Sequence, residues 1–391
     1  MIAKGEGRST DETWDNREWK YAVVTYLVIF IVIWAMMLLT HRIYSGSLAP
    51  DEIYRPYQGV LPEQSSFLEV WQRWDTLHYQ AIAERGYTAF ESALFVPPLY
   101  PLLMRGLGSL LGGKTLLAGL ILSNIFGVAA LMAFQRLVVY EFGSLKVGRR
   151  AVLYYLSFPT AFFIFAAYTE SLFLLGAILS LFYLRREKYV AAGIWGAVAA
   201  LARLPGALLV LPAAYAAWMA WQKKKVFRVW AAPLLISVGA AILPLYAWLG
   251  LGLSPFAPIT TQSGRFHGGL TVPGWNLIMA VKQIAAGVYP ITNSLDLFFT
   301  LLFIVGTFYV VKKMPKLYAI YVLSFMALYL FRIAAVYPLL SNSRYMLILF
   351  PVFMLMAQEG EKPWGNRLIL YPSWIGLLYL SGQFAIWGWV G

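Results

Sequence analysis

The run Arg73-Trp74-Asp75-Thr76-Leu77-His78-Tyr79, followed by Gly86-Tyr87, puts a cation, a carboxylate and an imidazole on one short aromatic stretch of an otherwise apolar chain. A carboxylate held just above a bilayer, beside spanning helices, is where a membrane enzyme would keep its base. Phe67, Trp71, Trp74, His78 and Ala81 recur at spacings of four, three, four and three, with Val70 and Leu77 flanking. This helical stripe predicts an amphipathic helix over residues 67–85, lying on the outer membrane surface with its tryptophans as anchors. On such a helix Asp75 stands about 100° round from Trp74 and shares a flank with Trp71 and His78. A plainer alternative stands beside the base: Asp75 pairs with Arg73 or caps a helix.

Other acids are scarce. Beyond residue 91 they are Glu141, Glu170, Glu187, Asp296, Glu359 and Glu361, and all but Glu170 and Asp296 lie in basic loops, where solvated pairing explains them. Glu170, in Tyr168-Thr169-Glu170-Ser171, sits in a tight connection between two apolar runs, where it can cap the next helix or hydrogen-bond a substrate. Asp296 reads as a first-turn charge meeting a helix dipole. Arg203 and Arg344 fall where apolar runs end, and Arg265 and Arg332 are further outward cations. A guanidinium at membrane depth can grip a phosphate bidentately, and snorkelling to headgroups is the alternative. His78 could orient the base, bind an acceptor or form half of a metal site. With His41 and His267 as the other histidines and no Cys, no metal-binding spacing exists, so neither metal nor cofactor is expected.

What must position these groups is a membrane bundle. Hydrophobic residues make up 60% and charged residues 13% of the chain, against about 25% charged in soluble domains. Uncharged runs near the length of a crossing recur, and alternating short strands are absent, so the fold class is an all-α polytopic integral membrane protein. The runs give about eleven transmembrane helices, at 21–40, 115–140, 151–168, 170–184, 189–203, 205–221, 229–250, 295–311, 317–332, 344–358 and 368–388. Residues 94–111 are apolar but carry Pro97, Pro98, Pro101 and Arg105 and read as a short crossing or a re-entrant segment. A full crossing would put the fifteen basic loop residues outside, which favours a re-entrant or tilted piece, or a compensating crossing elsewhere.

The chain reads as one membrane domain, 1–391: a cytoplasmic tail at 1–20 and extracytoplasmic loops at 41–94 and 251–294. Orientation follows the basic residues, since alternate loops hold fifteen Lys and Arg while the intervening ones hold five. That alternation accounts for the net charge of +13 without nucleic acid. Gly264-Arg265-Phe266-His267-Gly268-Gly269 in the second loop lacks a Walker-type Lys-Ser/Thr and suits a lid or an acceptor surface.

Several strings resemble the PIG-V mannosyltransferase family and its bacterial relatives. They are Arg73-Trp74-Asp75, His78-Tyr79, Ala83, Gly86-Tyr87 and Pro97-Pro98-Leu99-Tyr100-Pro101; then Ser123-Asn124 and Phe158-Pro159-Thr160-Ala161-Phe162-Phe163; then Tyr168-Thr169-Glu170-Ser171, Ala202-Arg203, Pro205-Gly206, Ser343-Arg344-Tyr345 and Phe350-Pro351. The resemblance implies a GT-C type enzyme that takes a sugar, mannose by analogy, from a polyprenyl-phosphate donor without a metal. It further implies an extracytoplasmic active site in a bacterial cytoplasmic membrane, with membrane lipids around it. Asp75 would be the general base. Arg73, Trp74, His78, Glu170, Arg203, Arg265, Arg332 and Arg344 would contact substrate, and the acceptor, whether lipid, glycan or protein, stays open. Two other classes also stay open. A lipid-linked sugar flippase would use the same arginines but needs paired broken helices or an inverted repeat, and neither stands out. A subunit supporting another enzyme predicts no transfer by the purified chain alone.

Overall fold

The computed structural model describes residues 16–44, 59–89, 93–265, 268–334 and 337–390. Residues 1–15 of the expected tail, 45–58 and 90–92 of the first loop, and 266–267 of the second, His267 included, lie outside them. Among the described residues, regular structure is helical apart from one antiparallel ribbon, in which Gly268–Leu270 pairs with Arg332–Ala334.

Six helical segments among the described residues are long and apolar enough to cross a membrane: Trp19–Tyr44, Thr115–Phe142, Leu204–Lys223, Phe227–Gly250, Ile291–Lys313 and Pro363–Ala385. Their ends follow local chemistry. Thr115–Phe142 stops at Gly143, whose φ of 65° lets its N–H close on the Val139 carbonyl, and Pro363 opens the last helix. The chain is an integral membrane protein of all-α type.

The expected count of eleven meets a physical obstacle at five places. Tyr189–Ala202 and Lys316–Phe331 are apolar helices of only 14 and 16 residues, and Glu170–Arg185 also has 16. The runs at 151–168 and 344–358 are not continuous helices at all. The first is a helix, Leu145–Ser157, that ends because Phe158 precedes Pro159 and is held extended at φ −62°, ψ 138°. A buried irregular stretch then leads to Glu170. The second breaks into Asn342–Tyr345, a 3-10 turn and Phe350–Glu359, with Pro351 just inside the last piece. Non-helical backbone at this depth is tolerated only where protein surrounds it. Here it does: residues 157–169 are all buried, and the two broken segments meet where the Thr160 hydroxyl donates to the Ser343 carbonyl at 3.0 Å.

The amphipathic helix expected over 67–85 is also corrected. Ser66–Glu69 forms one turn, the chain breaks, and a second helix runs Asp75–Arg85 with Thr76 through Ala83 all buried. Gln80 on this helix, and Gln72 just before it, find partners inside the protein. Gln72 Nε2 donates to Gln80 Oε1 at 3.0 Å, and Gln80 Nε2 reaches Thr115 Oγ1 at 3.4 Å. The stripe therefore marked a core helix packed on Leu99–Leu110 and Thr115–Phe142. Leu99–Leu110, inside the ambiguous 94–111 run, has 12 residues, about 18 Å at the α-helical rise, and is too short for a full crossing.

Candidate active site

Asp75 is the first residue of its helix, and the backbone before it is bent for the purpose. Trp74 sits at φ 51°, ψ −118°, outside the ordinary regions for a side-chain-bearing residue. Tyr168 clamps both sides of this corner. Its hydroxyl accepts the Asp75 N–H at 3.1 Å and donates to the Arg73 carbonyl at 3.3 Å, and the ring is fully buried. Replacing Tyr168 by Phe removes both bonds and leaves a buried N–H without its partner, a loss of about 1–3 kcal/mol. The expected result is a Tm reduced by a few degrees, read by thermal melts in detergent.

From Asp75 a chain of alternating charges runs inward. Asp75 Oδ2 accepts from an Arg344 terminal nitrogen at 2.8 Å. Arg344 Nε lies 2.7 Å from Glu170 Oε1, a close ion contact whose angle is too poor for a hydrogen bond. Glu170 Oε1 also accepts from Arg203, which reaches Thr169 Oγ1 at 3.3 Å as well. Glu170 opens the Glu170–Arg185 helix, so the dipole adds to the cations that hold it. Side-chain exposure separates the members: 24% for Asp75, against 5% for Arg344, 4% for Glu170 and 9% for Arg203. Asp75 is the end of the chain that an incoming molecule can reach.

Burial pushes the Asp75 carboxyl up. The Arg344 guanidinium, His78 and Arg203 together outweigh this, and the group titrates below the ordinary 3.8.

Tyr345 is the hub of the cations. The guanidinium carbons of Arg332, Arg203 and Arg344 lie 5.0, 5.4 and 5.4 Å from its ring centroid. Arg203 and Arg344 are paired with acids. Arg332, on the ribbon strand Arg332–Ala334, has no carboxylate within 4 Å among the described residues and donates to the Leu340 carbonyl at 2.8 Å. The turn that aims Arg203 depends on Gly206, since a Cβ there would stand 2.4 Å from the Ala199 carbonyl oxygen. Gly206→Ala should therefore destabilise by about 1–3 kcal/mol through overpacking, measurable as a lowered thermal midpoint in detergent.

The structure brings together five of the nine sequence-predicted site residues: Asp75, Glu170, Arg203, Arg344 and, at the rim, Arg332. Trp74 adjoins Asp75 and packs edge-on against Trp387 and Trp389 at 5.5 and 5.0 Å. His78 is buried against Phe95 at 5.4 Å. Arg73 points away: its Nε donates to the Ala385 carbonyl at 3.0 Å and its Nη1 to the Glu69 carbonyl at 2.7 Å, so it fastens the corner to the last helix. The side chain of Arg265 lies outside the described residues. No group of three metal-ligating side chains occurs among the described residues.

Sequence reasoning missed Tyr168 and Thr169 as individuals, although they stand inside a string it singled out. It also missed the aromatic bridge in which Trp389 packs on Trp74 and stacks on Tyr337 at 5.4 Å, joining the Asp75 corner to the chain leading into Arg344. No local signal marks contacts between residues so far apart in sequence. Asp296 was misplaced as well: it lies in the second turn of Pro290–Lys313, 2% exposed, not in the first turn.

Fold and site together define a polytopic helical membrane protein with a buried network of alternating acids and guanidiniums that surfaces at a single carboxylate. A family model described as Mannosyltransferase (PIG-V) matches residues 18–247, more than half of the chain. The chain belongs to the PIG-V mannosyltransferase family. Asp75, Glu170 and Arg203 fall within the matched region, whereas Arg332 and Arg344 lie beyond it. No curated protein matches the chain.

Proposed function

We propose that this membrane mannosyltransferase moves mannose from a polyprenyl-phosphate donor to an acceptor hydroxyl on the extracytoplasmic side of a bacterial cytoplasmic membrane, inverting the anomeric centre, with Asp75 as general base. The observation that carries this reading is that Asp75 is the accessible end of an otherwise buried ion-pair chain, with three guanidiniums converging just behind it. The acceptor oxygen attacks the anomeric carbon as Asp75 takes its proton. The bond from that carbon to the phosphate oxygen breaks, and polyprenyl phosphate leaves with the bonding pair. One displacement inverts the centre, so a β-linked donor gives an α-mannoside.

A carboxylate held by Arg344 is a weak base toward a ground-state alcohol. It becomes an adequate one late in the reaction, once bonding to an oxocarbenium-like carbon has acidified the hydroxyl. Arg332, which has no carboxylate within 4 Å among the described residues, supplies the first contact for the donor phosphate, and Arg203 and Arg344 lend further positive potential as charge develops on the leaving group. Glu170 holds those two arginines apart and in place. Trp74 and His78 line the approach to the base, and Arg265 is reserved for the outer loop. Arg73 serves by fixing the corner and not by touching substrate.

Orientation rests on the distribution of basic loops. The deciding assay incubates purified protein with labelled polyprenyl-phosphate mannose and candidate lipid, glycan and protein acceptors, scored against Asp75→Asn. Transfer by the wild type alone supports the reading, and equal transfer by both ends it.

A further inference from the structure

Arg344 rides on a four-residue helix, Asn342–Tyr345, entered through Ser341 in the left-handed region at φ 62°. A single turn has no stability of its own, so its orientation must be imposed from outside. The imposition comes mainly from the spanning helix Pro290–Lys313. Asp296 Oδ1 accepts the Ser343 N–H at 2.8 Å, and Thr300, one turn further on, receives Asn342 Nδ2 at 3.2 Å. The Thr300 hydroxyl itself donates back to the Asp296 carbonyl at 2.6 Å. Asp296 is 2% exposed, and its Oδ2 has no hydrogen-bond partner among the described residues. An acid inside a spanning helix is expensive to keep. The bond it makes is to the backbone immediately before Arg344.

We propose that Asp296 is a positioning residue for Arg344: through the Ser343 N–H it fixes the turn from which the guanidinium bridges Asp75 and Glu170. The inference rests on the mannosyl-transfer reading for its catalytic consequence, but not for its structural one. An Asn at this position keeps an oxygen that can accept the Ser343 N–H; an Ala does not.

The test compares full-length Asp296→Asn and Asp296→Ala with wild type in detergent by two readouts. The first is transfer as a function of pH. Asp296→Ala should lower kcat/KM about tenfold and move the acid limb upward, because a displaced Arg344 no longer holds the Asp75 carboxyl down. The titratable groups that face Asp75 are Arg344, His78, Arg203, Glu170, Tyr79 and Tyr168, and of these Arg344 alone sits on the loosened turn. Asp296→Asn should stay within about threefold of wild type, with the limb unmoved.

The second readout needs no activity. Thermal midpoints of the Asp75→Asn and Arg344→Gln single and double variants are measured in each Asp296 background. Their non-additivity should persist with Asn and vanish with Ala. An unmoved limb in the Ala variant, or non-additivity that survives it, overturns the proposal even where overall stability falls. A wild type that transfers no mannose defeats the functional reading, while the thermal cycle still decides the role of Asp296.

Discussion

Asp75→Asn is expected to reduce mannosyl transfer by about 10²–10⁴-fold, the range over which a positioned general base contributes, while leaving the protein folded. The direction follows from chemistry, since an amide cannot take the acceptor proton. That the fold survives follows from the geometry. The Asp75 N–H, not its carboxylate, makes the bond to Tyr168, and Arg344 keeps Glu170 at 2.7 Å as a counter-charge when Asp75 is neutralised. No buried cation is orphaned, so a modest Tm shift is expected, in contrast to the 3–5 kcal/mol typical of a broken buried pair. Transfer kinetics with labelled donor, alongside melts of the same preparation, separate the two effects. Retention of more than about a tenth of wild-type transfer would show that the proton goes elsewhere. The variant also separates an enzyme from a flippase, because movement of a lipid-linked sugar between leaflets needs no base at Asp75.

What the sequence disclosed, and what it hid, has a common cause. Composition and the recurrence of apolar runs made the class unavoidable, and the scarcity of acids drew attention to Asp75 and Glu170 before any geometry was in hand. The outward arginines at 203, 332 and 344 were legible for the same reason: a charge beside an apolar run is costly and invites a function. The span count goes unconfirmed where the site is built. The runs at 151–168 and 344–358 are apolar because they are buried, and hydropathy cannot tell a buried irregular segment from a crossing helix. Pro159 and Pro351 were the available hints, and each stands close to a break. The 67–85 stripe misled differently. Its period was right, but periodicity cannot say whether the polar face meets water or, as with Gln72 and Gln80, meets partners inside the protein. Asp296 and Trp389 were beyond reach because their roles exist only once distant segments are folded onto each other.

Replacing Arg344 should cost more stability than replacing Asp75, the accessible acid it holds. Arg344→Gln removes the strongest influence holding Asp75 ionised, and burial, which acts the other way, then dominates, so the Asp75 carboxyl rises from below 3.8 toward or past its ordinary value. The sign for stability follows. A carboxyl whose pKa is depressed in the folded protein contributes stability that is complete above its unfolded value, about 3.9, and is lost as pH falls through the depressed one. Without Arg344 that contribution is missing at neutral pH, and the variant should melt earlier there, while the difference from wild type narrows toward pH 3. Glu170 keeps Arg203, and Asp75 is partly exposed, so the loss belongs near the lower end of the range for broken buried pairs, about 3 kcal/mol. Catalysis suffers separately. Removing one preorganised donor from a developing anion lowers kcat by about 10²–10³-fold, and the acid limb of the pH–rate profile should move to higher pH. Arg344→Lys sharpens the test, because a lysine restores the charge but presents a point, not a fork, and cannot engage Asp75 and Glu170 together. It should recover part of the stability and little of the rate. A lysine variant with wild-type kcat and an unmoved acid limb would mean that the fork geometry is irrelevant, and the bridge between the two acids would lose its catalytic meaning.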